Sequence, residues 1–144
     1  MGIMQHRWTS DRILEIARGF QPACVLIAAA EMDIFTALKA APMDAASLAS
    51  RTGADRRALS VLLDALAALG FLVKEGPLYR SAPGAAETLS EGSPESALAM
   101  ARHLGNCLRR WAEIARTVKT GKPPERAPSI RGEAGDLESF VQAM

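Results

Sequence analysis

The chain is poor in the side chains that most chemistry requires. Its 144 residues include two cysteines, Cys24 and Cys107, and two histidines, His6 and His103. That is too few, and too widely spaced, for a disulfide framework or a zinc site. Both thiols are expected to be free and buried in a reducing, cytoplasmic compartment. Neither histidine stands in a nucleophile–base motif with a cysteine, so no catalytic residue and no metal ligand is assigned. The glycines fall at helix ends and turns, and none builds the Gly-rich strand-to-helix loop that lets a backbone approach a nucleotide or a methyl donor. Charge of one sign is also missing: 17 basic and 16 acidic side chains leave a net +1. That balance gives no reason to expect nucleic acid or an anionic membrane as a partner. The longest apolar run, Ala23 to Ala30, is far shorter than the roughly 20 residues that span a bilayer. Residues Met1 to Trp8 lack the apolar core of a signal peptide, so a soluble protein is expected. Aromatics, at 5% of residues, and β-branched side chains are sparse, which argues against a large sheet.

What is abundant is Ala and Leu, within an apolar content of 49%. Both lose little freedom in helices, and the length suits one domain, so the fold class is mainly α. Ser10 or Asp11 can cap a first helix that ends at Gly19. Gln21-Pro22 opens a second, expected to run to about Leu38. That helix is apolar on almost every side, and a domain this small can hardly enclose it alone, so a homodimer is expected. Asp44 caps a short helix that closes at Gly53. Asp55 caps the next, where Leu59, Leu62, Leu63, Leu66 and Leu69 form an apolar stripe ending at Gly70. Phe71 to Val73 and Leu78 to Arg80 read as strands about a Gly76-Pro77 turn. Helix, turn, helix and hairpin is the winged-helix order.

Residues 83 to 94 read as a small-residue connector. A long helix is expected from Glu95 to about Lys119, stopped by Gly121-Lys122-Pro123-Pro124. Arg109 and Arg110, beside Trp111, read as a solvated face. The expected organisation is a helical and winged-helix dimerisation domain over residues 1–120, a linker over 121–136, and a further helix opening at 137–144.

These motifs, in this order, resemble a known family. Ile13 to Leu38, then Leu48-Ala49 through Leu72 with its Gly70-Phe71 corner, are similar to the N-terminal dimerisation domain of SAM-dependent O-methyltransferases, which include plant caffeate or flavonoid enzymes and bacterial natural-product enzymes. The segment Ala58 to Phe71 is especially similar, as are the late helix with Trp111, the Gly121-Lys122-Pro123 stop and the closing Phe140 to Met144. The resemblance implies a domain that pairs with its twin and helps roof the partner's acceptor pocket. In the family a doubly wound domain follows, bearing the S-adenosylmethionine site and usually a histidine base. The resemblance therefore implies a piece of a methyltransferase, inactive alone and not binding the donor tightly. By position it implies that Phe140 and Met144, with Leu108 and Trp111, contact a hydroxylated acceptor, an aromatic one being suited to such walls, in the complete protein. Leu108 departs from the methionine some relatives carry there.

Two further readings stand beside it. A winged-helix transcription regulator would lay Asp55 to Leu69 in a major groove, use Lys74 to Pro77 as the wing, and set Arg51, Arg56, Arg57 and Arg80 on phosphates. Few side chains on that helix could read base edges, and Asp64 would face phosphate-rich DNA. A free-standing dimerisation module serving a separate catalytic chain fits as well. Truncation is preferred to it because the chain stops inside an apolar helix.

Overall fold

The computed structural model describes residues 7–144, so the expectations concerning His6 and a leader lie largely outside the described residues. Helix α1 (Ser10–Arg18) is capped by Thr9, one residue earlier than the sequence suggests, whose hydroxyl accepts from Arg12 N. Helix α2 (Phe20–Glu31) follows directly. It does not continue to Leu38. Asp33 takes φ +59, the only positive φ outside glycine among the described residues, and a separate helix α3 (Ile34–Leu38) starts after it.

The short strand β1 (Met43–Asp44), which no periodicity announces, leads into α4 (Ala45–Thr52). Asp44 caps α4 by accepting from Ser47 N at 2.7 Å, and Gly53 closes it in the left-handed conformation. Asp55 caps α5 (Arg56–Ala68) by accepting from Ala58 N at 2.8 Å. The end of α5 is a Schellman turn. Phe71 N donates to Leu66 O, Gly70 N donates to Ala67 O, and Gly70 supplies φ +82. Strands β2 (Leu72–Glu75) and β3 (Leu78–Ser81) then form the expected hairpin. It becomes a three-stranded antiparallel sheet in the order β1-β3-β2, with Met43 opposite Tyr79 and Leu72 opposite Ser81.

The connector holds a one-turn helix α6 (Ala85–Leu89). Helix α7 (Leu98–Trp111) begins three residues after the expected Glu95 and breaks at Ala112-Glu113. A separate α8 (Ile114–Thr120) carries the chain to Gly121. The last helix, α9 (Gly132–Ala143), starts five residues before Leu137 and takes up the end of the expected linker. It packs along α7, which in turn crosses α2.

The core lies where α2, α3, α4 and α5 meet the sheet. Ala29, Ile34, Phe35, Leu48, Leu63 and Leu66 are buried there. Of the α5 stripe, Leu59, Leu63 and Leu66 are buried and Leu62 packs from the side. Leu69, at the C-cap, is exposed. Phe35 and Phe71 meet edge to face with ring centres 6.4 Å apart.

Ser10–Glu31, with its near-continuous helix, is long and apolar enough by length and composition to cross a membrane, although its longest uninterrupted apolar run is Ala23 to Ala30. Ala29 and Ala30 nonetheless lie wholly in the protein core. The first turns carry Asp11, Arg12, Glu15 and Arg18.

Candidate functional site

The second half of α7, α8, residues 121–127 and α9 surround a cleft of about 660 Å³. Its floor is held by charges that the α2–α7 crossing brings together. Arg109 Nη1 lies 2.7 Å from Glu31 Oε1, and Arg109 Nη2 donates to the Asn106 side-chain oxygen. Arg109 is thus a paired residue of the helix crossing, not the solvated face expected; Arg110 is exposed as expected. The close crossing depends on Gly105, since a Cβ there would stand 2.6 Å from Ile27 Cγ2 and 3.0 Å from Glu31 Oε1.

Asp136, on α9, is buried and accepts from Ser129 N at 2.9 Å and from the Ser129 hydroxyl. Burial pushes its carboxyl up. The Ser129 hydrogen bonds outweigh this, and the Arg109 charge and Asn106 add to them, so the group is held below the usual carboxylate range. One side of the cleft is aromatic. Phe140 packs on His103 with ring centres 5.3 Å apart and planes tilted by 54°. Cys107 Sγ lies one turn along α7, 3.6 Å from His103 Nε2. Both cysteines are free and half-buried.

Of the four residues expected at an acceptor site, Phe140 lines this cleft. Leu108 is half-buried, and Trp111 and Met144 are largely exposed; none of these three lines it. The structure instead joins Phe140 to His103, Cys107 and Asp136. The i, i+4 spacing of His103 and Cys107 was a legible sign that they share a helix face. No local pattern linked either to Asp136, because that pairing is made by the packing of α7 on α9.

The region of α5 and the hairpin shows a different use of charge. Lys74 Nζ lies 2.7 Å from Asp64 Oδ1, and the Tyr79 hydroxyl donates to the same oxygen at 2.7 Å. The hydrogen bonds from Lys74 and then Tyr79 hold the Asp64 carboxyl below its ordinary value, and the bond to Asp64 raises the Lys74 ammonium above its own. Arg80 is paired with Glu75 at 2.9 Å, Arg51 reaches back to Ala37 O, and Val61 stands exposed on α5. The sheet is antiparallel throughout. A strand running into a glycine-rich loop and helix, the usual cradle of a methyl donor, does not occur among the described residues, so they do not fit that group.

Comparison with known proteins gives this architecture a lineage. Residues 14–92 match the family model of the O-methyltransferase dimerisation domain. Acetylserotonin O-methyltransferase of Mus musculus is 34% identical over 117 residues, covering 76% of this chain and 30% of that protein. The tetracenomycin polyketide synthesis 8-O-methyl transferase of Streptomyces glaucescens is 34% identical over 125 residues, covering 85% of this chain and 36% of its own length. The crystal structure of human N-acetylserotonin methyltransferase in complex with SAM aligns with a TM-score of 0.72 at 29% identity, over 99% of this chain and 46% of that one. The chain thus spans about a third of the length of these two curated relatives. With its helix–helix–hairpin core inside the matched segment, the chain belongs to the O-methyltransferase dimerisation domain family.

Proposed function

We propose that this chain is the subunit-pairing and acceptor-covering part of a SAM-dependent O-methyltransferase that works as a cytoplasmic homodimer. The observation that carries the reading is the uncovered face of α1. Ile13 and Ile16 of α1, with Phe20 at the start of α2, recur at helical spacing and are all more than half exposed, and no residue of α1 is buried. Leu14, exposed beside them, opens the segment matched by the dimerisation model. An apolar helix face without cover calls for a partner surface, and a second copy supplies one by symmetry.

In this reading S-adenosylmethionine and the base that takes the acceptor's proton belong to other parts of the complete protein. The chain's own residues exclude water and shape the acceptor's surroundings. Phe140 offers a flat apolar wall to a small hydroxylated, aromatic acceptor. Leu108, Trp111 and Met144 would join that wall once the remainder of the protein covers them. No nucleic-acid partner is proposed, because Lys74 and Arg80 of the hairpin are already paired within the chain. No membrane partner is proposed either, because α2 ends in the core.

Sedimentation velocity at micromolar concentration tests the reading. A dimer is expected, and the double variant Ile13→Glu/Ile16→Glu should be a monomer of unchanged helix content. A monomeric parent chain would overturn it.

A further inference from the structure

The cleft beside Phe140 carries a charge imbalance that the fold does not use. Arg109 is neutralised by Glu31, and Arg116 lies 3.3 Å from Glu113. That leaves three cations of the lining, Arg110, Lys122 and Arg126, against two carboxylates, Glu125 and Asp136, the latter hydrogen-bonded to the neutral Ser129 and so still charged. None of these five is in an ion pair among the described residues. The three cations come from two separate stretches, α7 and the segment after α8, so their convergence is a product of tertiary packing. Like charges around a shared concavity raise its potential and concentrate anions there. Below the rim, the tilted pair of Phe140 and His103 offers an aromatic surface. The cleft volume of about 660 Å³ lies in the range that holds small organic molecules.

We infer that this cleft takes a planar aromatic carboxylate, its ring against Phe140 and His103 and its carboxylate toward Arg110, Lys122 and Arg126. A neutral phenol of the same shape meets the same wall and gains nothing from the rim. Set beside the proposed function, this narrows the acceptor to the hydroxyaryl acids. The word acceptor rests on that reading, whereas the binding itself rests on the cleft.

The test titrates the 144-residue chain with 2-naphthoate and with 2-naphthol by calorimetry. Naphthoate should bind about tenfold more tightly, equivalent to ~1.4 kcal/mol. The preference should fade as salt is raised, because rim charges are screened. It should also vanish in Arg110→Gln/Arg126→Gln, whose exposed and unpaired positions leave the melting temperature unchanged. Equal affinity for the two probes would overturn the inference, as would no naphthoate binding at millimolar concentration. A preference that survives high salt or the double variant would do the same. Sedimentation of the same sample separates the two claims. A monomer that still prefers naphthoate upholds the cleft and removes the dimer reading, whereas a dimer indifferent to charge removes the cleft inference alone.

Discussion

The Arg102 guanidinium faces the Asp33 carboxylate with Nη2 3.3 Å from Oδ1, an ion pair whose angles fall short of a hydrogen bond. Arg102 also donates from Nε to Ala30 O at 2.8 Å and from Nη1 to Glu91 Oε1 at 3.1 Å. One buried side chain of α7 therefore holds the end of α2, the left-handed residue that breaks it, and the loop after α6.

Removing that side chain should loosen all three attachments. Arg102→Leu is expected to cost about 2–3 kcal/mol, because it strands the Ala30 carbonyl and leaves Asp33 without its counter-charge. Urea unfolding measures this. A loss within experimental error would mean that the α2–α3 break is held without Arg102.

Gly105 sets the distance between α2 and α7. Gly105→Ala places a Cβ against Ile27 and should cost about 1–3 kcal/mol through overpacking. Ile27→Ala opens the space the new methyl needs, so the double variant should be more stable than the sum of the two single losses implies. Strict additivity in thermal melts would count against the close crossing.

Acid should weaken the attachment of α9. The Asp136 carboxyl titrates lower in the folded chain than in the unfolded one, where its pKa is about 3.9. Between the two values the unfolded state binds more protons. Its stabilising contribution is therefore complete above the unfolded value and is lost as pH falls through the folded one. Unfolding free energy should drop below about pH 4, and Asp136→Asn should show a shallower acid limb. Asp44 and Asp64 are also lowered and contribute with the same sign, so the slope should shrink without vanishing. Identical acid limbs in the parent and the variant would show that Asp136 does not contribute.

The chain should not bind the methyl donor tightly. Isothermal titration with S-adenosylmethionine is expected to show no stoichiometric binding at micromolar concentration, because the described residues form no parallel strand–loop–helix unit. Tight one-to-one binding would refute the assignment of the donor site to another part of the complete protein.

Much of the framework could be read residue by residue. Asp44 and Asp55 announce helix starts because a carboxylate satisfies backbone N–H groups that no earlier turn can reach. Gly70 announces an end because it takes φ +82 without the penalty of a Cβ. The 3.6-residue period of Leu59, Leu63 and Leu66 marks the face of α5 that enters the core. The candidate site was less legible. Phe140 was singled out by resemblance, but its neighbours His103 and Asp136 were not, since α7 and α9 meet only in the folded chain.

The sequence by itself determined the mainly helical class, the caps, the α5 stripe and the hairpin, because each depends on interactions within a few residues. Tertiary structure alone decided the break at Asp33, the pairing of β1 with β3, the burial of Arg102 and the charged cleft at Phe140. It also left α1 uncovered. These features depend on groups far apart along the chain, whose energies enter only when packing brings them within a few ångströms. Local periodicity records which side of a helix is apolar, but not which distant charge will meet its end.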